Sequence, residues 1–437
     1  MLDDLLIVVY NLFFAPVFIL LGHVAALFHP KVRAGIRGRY VSAGKIRDFM
    51  REFGDSHPEL FLIHCASMGE FEHIKPLIAA LKENQPKCRI VVMFFSPSGY
   101  ENVRSHPGVD LFIYAPFDFW WPVRRLFQQL SPRALLISKH DVWPDQVWVA
   151  HRQRVPIFLI NASLHAGSAQ LRFPLRMLNR RLYRQFTRIL AISPEDGERF
   201  RLLVNGEKVR VVGDTKYDQV FHRAQESRKM PVLPEAIYRN RPVFVAGSTW
   251  PEDESRLLPA LEQVRKHIPD LLTIICPHEP TEDHLDSLEE ALGRENVIRF
   301  SRIDASQPRP FILIDRVGIL ANLYSLAQVA YVGGSFKQNI HNVLEPAAYG
   351  IPILFGPVNQ NSHEAQLLKS SGAAIEVRNS EDIAHGLLTL FTDEKLRTQK
   401  GQQAYQVARR NSGATQKIVT AIFQDLSIHP LKGVPHP

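Results

Sequence analysis

The chain has 437 residues, long enough for two domains rather than one. Its 45% hydrophobic and 22% charged content is that of an ordinary globular protein, which excludes a disordered or fibrous chain. A formal net charge of +8 favours an anionic partner, yet the basic residues are scattered apart from Arg172, Arg176, Arg180, Arg181, Arg184 and Arg188, and no zinc-finger, RRM or KH pattern argues for nucleic acid.

In chain order, the first element is an almost wholly apolar run over 5–28, broken by Asn11, Pro16, Gly22 and His23. About twenty such residues can cross the hydrocarbon layer as a helix. Asp3 and Asp4 precede it and Lys31, Arg33, Arg37 and Arg39 follow, so the positive-inside rule puts the remainder on the cytoplasmic side. Neither the leading positive charge nor the small-residue cleavage site of a secretory signal is present. A buried or interfacial helix, favoured by Asn11 and His23, stays open as a second reading; both readings make the segment a membrane tether. The basic stretch behind it suits anionic inner-membrane lipids.

From residue 60 short apolar runs alternate with amphipathic stretches. Strands are expected over 60–67, 89–96, 111–116, 134–138, 156–163, 188–193 and 209–213, with a helix over 70–83 after the first. The pattern lapses into a polar stretch over 222–242, expected as a linker, and restarts with strands over 242–248, 271–277, 297–300, 311–315, 329–334 and 351–356. Continuous apolar runs separated by helical patterns imply parallel sheets covered on both faces. Two doubly wound Rossmann-like halves facing a cleft are therefore expected, with ligands at the carboxyl ends of strands. The boundaries read as 1–29 for the anchor, 30–225 for the first domain and 226–427 for the second; a last amphipathic stretch, about 381–424, finishes the second half or packs back on the first.

The informative residues follow strands. Ser67, Met68 and Gly69 form a small-residue turn that opens a helix, and Glu70 stands in its first turn, either as a functional carboxylate or as a charge that suits the helix dipole. Lys139, His140 and Asp141 end the strand at 134–138, next to Trp143-Pro144. Asp214, Thr215 and Lys216 end the strand at 209–213; Lys216 is a candidate to stabilise charge on a departing phosphate. In the second half, Pro277 and His278 end a strand. Gly333, Gly334 and Ser335 end another, and a helix is expected to open at His341-Asn342. The glycine pair would let backbone approach a phosphate, and Glu345 would accept hydrogen bonds from ribose hydroxyls. Cys65, Cys88 and Cys276 lie in no CxxC pair, which fits a reducing compartment, and the histidines show no metal-ligand spacing.

In order, Ala66–Glu70, Asp141–Pro144, Asn161-Ala162-Ser163-Leu164-His165, Gly213–Asp218 and Gly333–Ala347 resemble the ordered motifs of the Kdo (3-deoxy-D-manno-octulosonic acid) transferases of lipopolysaccharide inner-core synthesis. The resemblance runs from the anchor to about residue 370. It implies a GT-B fold, an acceptor-binding first domain, a second domain that binds CMP-Kdo, and inverting, metal-independent transfer to a lipid A precursor without a cofactor. By the same resemblance Glu70 is the general base, Asp141 and Lys216 stabilise the transition state, and Ser67, Met68 and Gly69 lie at the acceptor. Pro277, His278, Val317, Gly318, Ile319, Gly333, Gly334, Ser335, Asn342, Val343, Leu344 and Glu345 would hold the CMP group. This chain departs from the family in lacking an arginine before His278 and in carrying Lys139 and Asp141 where glutamates are usual. A GT-B transferase using a UDP-sugar is the alternative. A sugar-nucleotide epimerase shares the two-domain architecture and gains nothing from a tether, and a catalytically inert binding module stays open. An aromatic run at 117–122 suits either a membrane-facing surface or interior packing.

Overall fold

A computed structural model describes residues 2–54, 56–103, 105–304 and 308–428. The chain divides into two compact units, 1–219 with 412–437, and 220–411. Met1 and the tail from 429 lie outside the described residues.

The first unit is built on a seven-stranded sheet of β1 (Leu60–Cys65), β2 (Arg89–Phe94), β3 (Leu111–Tyr114), β4 (Ala134–Ser138), β5 (Ile157–Ala162), β6 (Arg188–Ala191) and β7 (Val209–Val211). All pairings are parallel, in the order β3-β2-β1-β4-β5-β6-β7. Every residue of β1, β4 and β5 is buried, because helices cover both faces; that is why these strands read as mainly apolar runs, each with one polar residue near its end. Leu62 and Ile63, adjacent in β1, point into different core clusters, as a two-residue repeat requires.

The second unit repeats the plan with β8 (Val243–Thr249), β9 (Leu272–Pro277), β10 (Val297–Arg299), β11 (Phe311–Leu313), β12 (Val329–Val332), β13 (Ile353–Phe355) and β14 (Ala374–Glu376), all parallel, in the order β10-β11-β9-β8-β12-β13-β14. In each sheet the chain reverses its direction of winding once, between β1 and β4 and between β8 and β12. Crevices at such points are where doubly wound sheets bind ligands.

The apolar strand runs all form strands, and β14 is additional. The expected linker differs: a helix Thr215–Arg228 runs through its start, held by buried Val220 and Ala224, and a short helix Glu235–Tyr238 follows. The stretch expected to close the second half forms three helices, Ser380–Thr392, Glu394–Arg410 and Ala414–Leu426. The last belongs to the first unit, where Ile418 and Ile422 join the core under β1 and Asp425 accepts two hydrogen bonds from Arg188 at the start of β6.

Among the described residues one helix, Asp4–Phe28, is long and apolar enough to cross a membrane. It includes a π-helical turn at Tyr10–Phe14 and is followed by a second helix, Pro30–Arg51.

Candidate active site

In the first unit the relevant side chains gather at the carboxyl ends of β1, β4 and β7. β1 ends at Cys65, and helix Met68–Asn84 begins after Ala66 and Ser67. Ser67 takes the extended N-cap conformation with no side-chain hydrogen bond, so the opening turn is capped from inside: Glu70 reaches back and its Oε2 accepts from the Ala66 N–H at 2.6 Å. Glu70 is only 7% exposed. Burial holds its carboxyl above the ordinary glutamate range. Ala66, Lys139 and His64 pull the other way, and the charge of Asp141 adds to the rise.

Asp141 lies in the loop after β4. Its Oδ2 accepts from His64 Nε2, in β1, at 2.7 Å. Burial alone would raise Asp141, but the His64 hydrogen bond and charge, with help from Trp143 and His140, leave it below the ordinary aspartate range. β1 and β4 pair directly, His64 beside Ile137, so this contact bridges the reversal point. The loop between starts at Lys139, which has φ +58, and ends where Trp143 stacks on Phe95 with centroids 4.6 Å apart. Such a stack contributes about 0.5–1.5 kcal/mol beyond area burial and pins the loop.

Lys216 is in the first turn of helix Thr215–Arg228, after β7. Its Nζ lies 3.3 Å from Asp214, and Thr215 interlocks with Asn161 of β5 and the His73 carbonyl. His73 is pushed down to about 4, by burial first and then by Lys139, while it also feels Asp214 and Lys216. Glu70, Asp141 and Lys216 thus belong to one electrostatic neighbourhood in the first unit, with Lys139 and His73 between them. Ser67 and Met68 are half-buried and Gly69 exposed beside Glu70.

The second unit has its own cluster at the reversal between β8 and β12. Trp250, just past β8, donates from Nε1 to His341 Nε2 at 2.9 Å. His278, just past Pro277 at the end of β9, stacks on His341 with centroids 4.2 Å apart and on Trp250 at 4.9 Å. Lys337 lies 4.0 Å from the Trp250 ring centre. Burial, then the neighbouring His278, pushes His341 down to about 4, so the stack is an uncharged platform at neutral pH on the His341 side.

The glycine pair has a more specific role than a generic turn. A Cβ on Gly333 would lie 2.2 Å from the Ser248 carbonyl oxygen, so Gly333 lets β12 close against β8. Gly334 has φ +91, and its N–H donates to Asp253, which also accepts from Trp250 N and Tyr331 Oη. Ser335 is fully buried and its Oγ accepts from Gly356 N. These three residues therefore shape the crevice through contacts within the chain. The expected helix opening moves as well: the helix is Leu344–Ala348, so His341, Asn342 and Val343 precede it, and Asn342 Oδ1 accepts from Leu344 N. Glu345 pairs with Arg223 at 3.0 Å. Val317 is exposed, Gly318 has φ +91, and Ile319 precedes the short helix Leu320–Tyr324. Among the described residues no group of three or more His, Cys, Asp or Glu side chains is placed to hold a metal ion.

Sequence reasoning missed His64 and His73, and it did not foresee that Trp250, His278 and His341 stack together or that Asp253 binds Gly334 and Tyr331. His64 carried the clearest signal, a single ionisable residue in an otherwise apolar buried strand.

Two Rossmann-like units, each with polar side chains converging where its strand order reverses, are the build of a GT-B glycosyltransferase. Against known proteins, residues 41–219 match the family model described as 3-deoxy-D-manno-octulosonic-acid transferase (kdotransferase). A 3-deoxy-D-manno-octulosonic acid transferase from Haemophilus influenzae is 26% identical over 370 residues, covering 83% of this chain and 86% of that one. The enzyme of the same name from Chlamydophila psittaci is 29% identical, covering 77% and 79%. Among solved structures, the UDP-GlcNAc 2-epimerase of Neisseria meningitidis superposes with a TM-score of 0.58 at 14% identity, over 84% of this chain and all of that one, a likeness of fold alone. The chain is an enzyme, a glycosyltransferase; it carries a Kdo transferase family domain over residues 41–219 and is similar over most of its length to curated Kdo transferases.

Proposed function

We propose that the protein transfers Kdo from CMP-Kdo to a lipid A precursor, with inversion at the anomeric centre and without a metal, at the cytoplasmic face of the cell inner membrane. The observation that carries this reading is Glu70, a buried carboxylate with raised basicity at the reversal point of the first sheet. A general base is most effective when its pKa approaches the working pH, and burial moves Glu70 in that direction. In the proposed step Glu70 takes the proton of the acceptor hydroxyl, the hydroxyl oxygen forms the new bond to the anomeric carbon, and the bond to the CMP phosphate oxygen breaks. Lys216 and Lys139 supply positive charge towards the leaving phosphate, and Asp141, kept ionised by His64, offsets developing positive charge on the sugar ring.

The first unit binds the acceptor, with Ser67, Met68 and Gly69 beside Glu70. The second binds the nucleotide through Pro277, His278, Val317–Ile319, Asn342–Leu344 and Glu345, with the Trp250–His278–His341 stack as an aromatic surface. Gly333, Gly334 and Ser335 hold that crevice open.

The test is incubation of the detergent-solubilised full chain with CMP-Kdo and a tetraacylated lipid A precursor in EDTA, read by mass spectrometry. A gain of one or more Kdo units supports donor, acceptor and metal independence together. Intact CMP-Kdo with no gain refutes the assignment, and UDP-sugar donors are then tested on the same acceptor.

A further inference from the structure

The apolar N-terminal helix does not stand away from the first unit; it lies along it. Asp4, at its start, pairs with Arg152 of helix Pro144–Arg152. One turn and a half later Tyr10 donates to Asp118 at 2.7 Å, and Asn11 donates to Asp145 at 2.8 Å while accepting from the Trp120 N–H at 2.8 Å. Phe18 then meets Trp143, and His23 meets Phe117 and Tyr40, with ring centroids 5.5–6.2 Å apart. All these partners belong to the first unit.

The helix spans 25 residues and so is about 37 Å long, more than the roughly 30 Å hydrocarbon thickness. Were it to cross, Asp4 would stand on the far side of the bilayer from Arg152, and Asp118 and Asp145 would lose the Tyr10 and Asn11 groups that meet them. Burial raises Asp118 to about 7 and Asp145 to about 6, so these carboxyls lack the solvent that would replace such partners.

The burial pattern agrees with a helix lying flat. Ile7, Asn11, Ala15, Ile19, His23 and Ala26, spaced by four, four, four, four and three, are its covered face, mostly small or polar. The other faces expose large apolar groups, among them Leu12, Phe13, Phe14, Leu20, Leu21 and Phe28. Polar groups face protein and apolar groups face outward, the reverse of a soluble surface helix. Trp121, adjoining the docked Trp120, is exposed as well.

We infer that Asp4–Phe28 is an in-plane element: it rests on the first unit and inserts its outer apolar faces into one leaflet of a lipid bilayer, leaving its N-terminus on the same side as the catalytic units. This deepens the membrane association proposed above and rests on it.

The full chain, carrying one short protease-cleavable tag before Met1 and another after Pro437, is recovered in floated membranes and prepared as inside-out vesicles and as intact spheroplasts. Both tags are expected to be cut in the first preparation and both protected in the second. A tag before Met1 cut only in spheroplasts overturns the inference in favour of a crossing helix while leaving the membrane association standing. A chain absent from the floated fraction overturns both. As a second reading, Asp4→Cys with Arg152→Cys is treated with a bifunctional maleimide in membranes, where the native Cys65, Cys88 and Cys276 are buried. An intramolecular crosslink is expected; its absence, with each single variant still labelled, overturns the docked helix.

Discussion

Replacing Glu70 by Gln separates its chemical role from its structural one. The amide oxygen of Gln can still accept from the Ala66 N–H, so the helix opening at Met68 keeps its cap. What is lost is proton acceptance, which costs about 10²–10⁴-fold in kcat for a positioned base, or roughly 2.7–5.5 kcal/mol of barrier. Stability moves the other way. Because burial holds the folded carboxyl above its unfolded value, the group favours the fold most at pH below the ordinary glutamate range, and that contribution disappears as pH rises through the raised value. The Gln variant has no such dependence, so relative to the parent it gains stability over that window and unfolds at an equal or higher temperature at neutral pH. Glu70→Ala removes the acceptor as well and is expected to lose about 0.5–2 kcal/mol, as a lost cap does. The assay is initial-rate Kdo transfer against pH, with thermal unfolding of each variant. A Gln variant that keeps more than about a tenth of the parental rate, with the same pH profile, would refute the base assignment.

His64→Ala leaves Asp141 without its histidine hydrogen bond, so the Asp141 pKa rises and kcat falls more than KM changes; His64→Gln, which can still donate, restores part of the rate. Such a buried loss costs on the order of 1–3 kcal/mol, to be read by denaturant unfolding. Gly333→Ala puts a methyl group against the Ser248 backbone and is expected to destabilise the second unit by about 1–3 kcal/mol or more and to weaken CMP binding, measured by calorimetry. Reversing charge at Arg172, Arg180 and Arg184, which flank exposed Leu175 and Met177 on helix Leu175–Tyr183, should weaken binding to anionic vesicles by roughly 1 kcal/mol per residue, less at high salt, without altering transfer to a detergent-solubilised acceptor.

The strands were legible because a parallel sheet covered on both faces leaves a plain trace, short and mainly apolar runs bounded by turn residues. β14, Ala374–Glu376, was not read as a strand; it is as short as β7 and, like β7, has one buried residue of three, so neither length nor burial explains the omission. The stretch over 222–242 misled through its prolines. Pro231 and Pro234 lie beyond Arg228, so nothing in the chain stops the helix that Val220 and Ala224 hold in place. In the candidate site, Glu70, Asp141 and Lys216 were singled out because each follows a strand end, and the structure places them after β1, β4 and β7. Partners that act through a neighbour were not, since sequence order carries no trace of His64 in β1 meeting Asp141 after β4.

Polar residues inside apolar runs are the trace that such distant partners do leave in the sequence. Asn11 and His23 in the apolar helix, and His64 in β1, are polar groups inside runs that would bury more favourably without them. A buried polar group is costly unless hydrogen-bonded, so each implies a partner distant in sequence. Asn11 finds Asp145 and Trp120, His23 contacts Phe117 and Tyr40, and His64 finds Asp141. Two of the three partner sets also converge on one segment: Asp145 opens the helix that begins immediately after the Asp141–Trp143 loop, and Asp118 accepts from both the Asp145 and Gln146 N–H groups and from Tyr10. The N-terminal helix and the loop carrying Asp141 are therefore held by one hydrogen-bonded set. Removing the Asn11 amide should accordingly disturb the pH dependence set by Asp141 as well as the docking of the helix, whereas a helix that only anchored the chain would leave that dependence unchanged.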